Sequence, residues 1–484
     1  MSDRRCSKWL DIQEIFPVGL LPIWDVPDDD GYWFDHAVRH VAAAGDVCGL
    51  VSVMDPAWKA ARERVSSPLA FQADVEAVLV ALMGVVSDTA RNVVRSPVLL
   101  GRVHAALALS YEERIAGCRR SNMEAAIVQW KRALSLVVRA DDPPLWAEWQ
   151  AGLGHAHHDR IGGELAANME TAIACYEKAL ELRTWEAVPL EWAETQRNLG
   201  ISYVDRVVGD KAANVEEAIA CYGRALSVWT QAATPLLWAD AQNSLGGAYF
   251  YRIGEDKAAN VEAAIACFSR ALEEYTRSAT PLRWARTRYN AGIAYHERLV
   301  GDRAAAIEAA IACYEDALTV RSREAAPLKW GATQNHLGNA LRDRIFGDPA
   351  ANQAAAIACF ERALSVRTRE AVPLKWATTQ HNLGIAHNGR HGGGATRPVD
   401  VDAAVVCFRR ALEVRTPEAT PQEWALTTFS LMQALVDGKH WSEAVECGMA
   451  LERFGPRWVS WPAQEAAVAL DMATAKRALA PLRA

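Results

Sequence analysis

A tryptophan followed by alanine or glycine returns at Trp146, Trp192, Trp238, Trp284, Trp330, Trp376 and Trp424, in steps of 46 residues with a last step of 48. Eight residues after each of the first six comes a glycine, at Gly154, Gly200, Gly246, Gly292, Gly338 and Gly384. An arginine recurs at the same period at Arg114, Arg160, Arg206, Arg252, Arg298, Arg344 and Arg390. One period held by three residue types marks a tandem array. A chain of 484 residues is too long for one compact core. An array meets that limit because each unit buries its apolar face on its neighbours.

Each unit reads as two helices. A proline stands three residues before every one of these tryptophans, at Pro143, Pro189, Pro235, Pro281, Pro327, Pro373 and Pro421. It suits a first helical turn, where a backbone N–H has no partner in any case. In the unit of Trp192, helix A is expected over 192–206 and a loop with Gly209 and Asp210 ends it. Asn214 is expected to cap helix B, with Glu216 and Glu217 in the first turn where the helix dipole favours anions. The equivalent caps are Asn122, Asn168, Asn260, Asn352 and Asp400. Ala218, Ile219, Tyr222, Ala225 and Leu226 then form an apolar stripe at helical spacing.

Leu199-Gly200 with Tyr203, followed by Ala218, Tyr222 and Ala225, resembles the two-helix pattern of the tetratricopeptide repeat family. Leu245-Gly246 with Tyr249, then Ala264, Phe268 and Ala271, repeats it, and the resemblance covers residues 97–456. Two departures stand out. Gln196, Gln242, Gln334 or Gln380 occupies the family's aromatic position on helix A, and loops such as 207–213 lengthen the unit. This long form resembles arrays that accompany caspase-like CHAT proteases and other bacterial signalling modules. The resemblance implies an all-α fold, a right-handed superhelical solenoid of helix-turn-helix repeats. It divides the chain into 1–95, an N-terminal cap or small α/β adaptor, 96–456, about eight repeat units, and 457–484, a closing helix. Within the first segment a strand is expected over 47–54 and helices over 32–44 and 71–86.

Composition narrows the function. A net charge of −7, with no basic run, argues against a nucleic-acid partner. The longest apolar run, 77–86, is too short to cross a membrane, and no signal-peptide core follows the N-terminus. The chain is therefore expected in the cytoplasm. Cys175, Cys221, Cys267, Cys313, Cys359 and Cys407 share one place in helix B and have no Cys-x-x-Cys partner, so they read as small, reduced, buried residues. His155 and His158 share a helix face, while His157 holds a core position; neither this cluster nor His36, His40 and Cys48 completes a ligand set. No metal or cofactor is expected. Gly392-Gly393-Gly394 lacks the ending of a phosphate loop, and no catalytic motif is present, so no enzyme activity is expected. The recurring arginine is expected to build a structural ladder with Asp205, Asp343 and Glu297.

The residues just before each Leu-Gly pair are polar or aromatic: Arg197, Asn198, Asn243, Tyr289, Asn290, Asn335, His336, His381 and Asn382. In tetratricopeptide arrays helix A lines the concave groove, and these positions resemble those that contact bound peptides. An asparagine amide can pair with both the C=O and the N–H of an extended strand. Asparagine is also a weak helix former, so its repeated use within a helix asks for a reason. The expected function is a scaffold that binds a protein or extended peptide on the concave surface, in a regulatory or signalling assembly. Two alternatives stand beside it. One is a sensor array for an effector carried by the N-terminal region or by a partner such as a CHAT-type protease. The other is a self-associating structural array.

Overall fold

Proline opens one helix of every pair. The computed structural model describes residues 97–113, 118–254, 256–389, 400–455, 77, 468–469 and 471–477. It divides into two compact units, Met1–Thr230 and Gln231–Ala484. The first unit holds α1 (Pro97–Glu113), α2 (Arg119–Leu136), α3 (Pro143–His158), α4 (Leu165–Leu180), α5 (Pro189–Asp205) and α6 (Lys211–Leu226). The second holds α7 (Pro235–Tyr251), α8 (Lys257–Glu274), α9 (Pro281–His296), α10 (Arg303–Leu318), α11 (Pro327–Arg342) and α12 (Pro349–Leu364). It continues with α13 (Pro373–Asn388), α14 (Val401–Leu412), α15 (Pro421–Asp437) and α16 (Trp441–Phe454). Within each unit an odd-numbered helix, the A helix, packs on the B helix that follows, and that B helix packs on the next A helix. Among the described residues there is no strand. The fold is all-α, a run of helix pairs stacked on their sequence neighbours.

The glycine on each A helix exists for its aromatic partner. A Cβ placed on Gly246 would lie 2.8 Å from Cε1 of Phe268, and one on Gly338 would lie 2.7 Å from Cε1 of Phe360. The same meeting recurs with Tyr176, Tyr222, Tyr314 and Phe408, all rings with almost no exposure. The cysteine of each B helix fills the gap toward the repeat before it. Cys221 joins Tyr176, Ile173 and Leu199; Cys359 joins Tyr314, Ile311 and Leu337; Cys407 joins Phe360 and Leu383. Burial pushes the thiols of Cys175, Cys221, Cys267 and Cys407 up to about 11. Cys118 is exposed, and hydrogen bonds from Ser121 lower its pKa. Since the thiolate is the nucleophile, brief alkylation of the native protein should modify Cys118 and spare the six repeat cysteines until denaturant is added. Peptide mass spectrometry checks this, and rapid native modification of most of the six would overturn their placement.

The expected caps of helix B need correction. The caps are the aspartates Asp210, Asp256, Asp302, Asp348 and Asp400, four residues before the asparagine where one is present, and their carboxylates accept backbone N–H groups. Only Asp400 is the residue expected. The asparagines lie inside the helix and tie down the preceding loop: Nδ2 donates to Gly162 O from Asn168 (2.8 Å), to Val208 O from Asn214 (3.0 Å) and to Phe346 O from Asn352 (2.8 Å). An exposed loop with glycine at positive φ, +81° at Gly209, is thereby held from within the helix.

The arginine ladder also has different partners from those expected. Arg160, Arg206, Arg298 and Arg344 grip Glu124, Glu170, Glu262 and Glu308, each on the preceding B helix, through paired bonds of 2.6–2.9 Å. These two-pronged pairs stay about one-third exposed. Each therefore contributes about 0.2–1 kcal/mol, and their value lies in fixing the angle between repeats.

Residues 471–477 are helical, and Met472 lies against Gly448 of α16 within the apolar cluster of Leu451 and Phe454. Residues 468–469 are helical too, and the rest of the expected closing helix lies outside the described residues. So do the segments expected over 1–95, apart from helical Ala77, as well as Arg114, Arg390 and the glycine run 392–394.

Candidate ligand-binding face

In the second unit each of the A helices α7, α9 and α11 touches the next A helix, up to α13. Residues one helical register apart on successive A helices therefore meet. Asn290 on α9 donates from Nδ2 to Oδ1 of Asn243 on α7 (3.3 Å), and Thr287 donates to the same oxygen (3.0 Å). Asn382 on α13 donates likewise to Oδ1 of Asn335 on α11 (3.2 Å). Asn243, Asn335 and His381 are buried, whereas Tyr289, Asn290, His336 and Asn382 are half-buried. Part of the polar run expected to face a ligand thus serves to join repeats. Each linked amide pair still keeps acceptor capacity on Asn290 or Asn382, and these are its more accessible members.

Tyr289 and His336 come together as neighbours, with ring centroids 5.4 Å apart and edge to face. The His336 ring also lies 5.9 Å from Tyr314. Burial first, then the Arg367 and His296 charges, lower the His336 pKa to about 4, so the ring is neutral at physiological pH. His381 packs its ring 5.6 Å from Phe408. On the far side of His336 opens a cleft of about 670 Å³, lined also by His296, Arg303, Arg342 and Asp343. Asp343 is held well below the usual carboxylate range: burial opposes this, but His296 and Arg342 both donate to it.

In the first unit Arg197 and Asn198 on α5 are half-buried, and Arg197 donates to Oδ1 of Asn198 (3.2 Å). The histidines of α3 are separately engaged. His155 meets Glu112 at 3.0 Å, while His158 bridges Asp159 (3.1 Å) and Asp205 (3.2 Å). Burial opposes the charge on His158, but these two carboxylates raise its pKa to about 9. His157 is a core residue, its pKa lowered by burial to about 4.

A second register, missed in the sequence, faces the same helices. Arg321, Arg367 and Arg415 follow the ends of their B helices and are only 9%, 6% and 5% exposed. Each donates Nη1 to the hydroxyl of a threonine on the next A helix, Thr333 (3.1 Å), Thr379 (3.1 Å) and Thr427 (2.7 Å). Those hydroxyls in turn donate to carbonyls four residues back. Arg183 and Thr195 repeat the arrangement in the first unit at 3.0 Å. The signal was present as an arginine twelve residues before a threonine, at the period of the array. Arg321 also lies over the Tyr289 ring, 4.4 Å from its centroid.

The helix pairs carry glycine–aromatic contacts between their A and B helices, and each B helix also packs on the next A helix within its unit. Similarity to solved structures agrees with this arrangement. A signal transduction ATPase with numerous domains, carrying a tetratricopeptide repeat sensor, from Pyrococcus horikoshii, aligns with a TM-score of 0.55 at 11% identity, over 95% of this chain and 66% of that one. The fold is a tetratricopeptide repeat. Lower overlaps include BtubC from P. vanneervenii (TM-score 0.37, 20% identity, 51% of this chain and 91% of that one). A tetratricopeptide repeat-containing protein from Cytophaga hutchinsonii gives a TM-score of 0.35 at 12% identity, over 70% of this chain and 98% of that one. No family model and no curated protein matches the chain. Among the described residues no helix is long and apolar enough to cross a membrane, and no three potential metal ligands stand together.

Proposed function

We propose that the protein is an interaction scaffold whose A-helix face in the second unit holds an extended segment of a protein partner. The observation that carries this reading is the accessible run of Asn290, Tyr289, His336 and Asn382 across adjoining A helices. An extended main chain needs hydrogen-bond acceptors and donors at intervals, and amides fixed by a neighbouring amide supply them without further loss of side-chain freedom. Tyr289 and His336 supply aromatic surface beside the amides, which selects a side chain of the bound segment. A regulatory or signalling setting fits a scaffold of this kind.

The test has two steps. A photo-crosslinking amino acid at Tyr289 should capture one partner segment in the native host, whereas the same group at Glu361, exposed on a B helix, should not. The captured segment is then titrated calorimetrically against Asn290→Ala/Asn382→Ala. Losing two amide contacts at about 0.5–1.5 kcal/mol each should weaken binding by about tenfold. The variant also loses two links between repeats, so a small fall in melting temperature is expected. Wild-type affinity in the variant would overturn the A-helix face as the binding surface.

A further inference from the structure

Two guanidinium groups in the second unit are buried without an anion. Arg321 and Arg367 spend one N–H each on a threonine hydroxyl, and among the described residues neither forms an ion pair. Nε of Arg367 is fully buried and has no hydrogen-bond partner. A buried cation is tolerated when an opposite charge or a full set of acceptors compensates its lost hydration. The neighbouring repeats provide such compensation. At the equivalent place α8 is followed by Tyr275, which donates to Asp240 (2.6 Å), and Asp240 also takes Arg283 and Arg286. Arg415 directs Nη2 to the Thr378 hydroxyl (2.9 Å). The residues in the register of Asp240 and Thr378 on the two A helices between them are Arg286 and Ala332. Neither accepts a hydrogen bond, so the repeats of Arg321 and Arg367 lack the compensating group.

Both cations lie within electrostatic reach of one phenol. Arg321 stacks over the Tyr289 ring, and both Arg321 and Arg367 act on its hydroxyl, opposing the upward push of burial. That hydroxyl makes no hydrogen bond among the described residues, and no carboxylate acts on either arginine. Two buried guanidinium groups and a phenolic O–H thus neighbour one another with no negative charge acting on them.

We propose that Arg321, Arg367 and Tyr289 form a receptor for a phosphoryl group. Its charge of about −1.5 to −2 matches two guanidinium groups, and its oxygens match their paired donors and the phenol. A single carboxylate would leave one of the two cations uncompensated. The site deepens the scaffold reading, since a phosphorylated side chain of the bound segment is one bearer of such a group. Free phosphate is the other.

The test begins with inorganic phosphate on the full chain. Phosphate should raise the melting temperature beyond an equal concentration of sodium chloride, and ³¹P line broadening should report binding. Both effects should vanish in Arg321→Gln and in Arg367→Gln, with helicity checked by circular dichroism. Tyr289→Phe keeps the ring and its packing, and should weaken phosphate binding several-fold at unchanged melting temperature. The crosslinked segment is then compared with and without a phosphorylated serine. Charge-assisted bonds are about twice as strong as neutral ones, so the phosphorylated form should bind at least tenfold more tightly. Equal affinity of the two peptides, with phosphate still bound at the arginines, assigns the site to free phosphate. The absence of any phosphate effect in the wild type, or its persistence in both arginine variants, would overturn the proposal. Neither result depends on the amide contacts, so the scaffold reading stands or falls separately on Asn290→Ala/Asn382→Ala.

Discussion

Gly246→Leu should lower stability by about 1–3 kcal/mol or more, because even the first added carbon meets the Phe268 ring at 2.8 Å. Leucine favours a helix over glycine by less than about 1 kcal/mol, which does not offset the clash. The ring cannot swing aside, since Phe268 is 1% exposed and enclosed by Val261, Ala264 and Ile265. The damage should be local, because each repeat contacts its neighbours alone. Hydrogen exchange should therefore accelerate most in α7, α8 and α9. Adding Phe268→Ala should recover part of the loss, since the leucine then occupies space the ring has left. An unchanged exchange pattern in Gly246→Leu would show that the two helices are not in close contact there.

Phe360→Ala should cost about 3–5 kcal/mol, the range for emptying a large aromatic from a packed core. Phe360 is fully buried between Ala356, Leu383, Ala386 and Cys407, and on its other side is the bare backbone of Gly338. None of these neighbours is long enough to fill the space. Denaturant titration followed by tryptophan fluorescence should show either a large shift or a separate early transition, as expected when one link of an array fails before the rest. A shift below 1 kcal/mol would mean that α11 and α12 collapse to close the cavity.

The period of the array was legible because tryptophan, glycine and proline each have a job that few other residues can perform. Proline at the helix start and glycine beneath the aromatic ring are constraints of backbone and volume, and they survive translation from sequence to structure unchanged. The caps were misread because Asn214 and Asp210 are both good capping residues four apart, and only the loop carbonyl of Val208 decides what Asn214 does. Arg206 was given a nearby acid because its true partner, Glu170, lies 36 residues earlier and on another repeat. The candidate site was half legible for a similar reason. Asn290 and Tyr289 advertise themselves on a helix, but arginines such as Arg321 matter only because an acid is missing from a register that no local pattern reveals.

The arginine–glutamate grips do not run the length of the chain. Where Glu124, Glu170, Glu262 and Glu308 stand in their repeats, α12 carries Ala354. The adjacent Gln353 instead donates from Nε2 to the Ala386 carbonyl of α13 at 2.7 Å, fully buried. That contact carries no charge and is buried. Concentrated electrolyte, which shortens the reach of exposed charges to about 3 Å at 1 M, weakens the charged joints and leaves this one untouched. Within the second unit, the brine-sensitive grips of Glu262 and Glu308 thus come before a contact whose strength is indifferent to the ions around it.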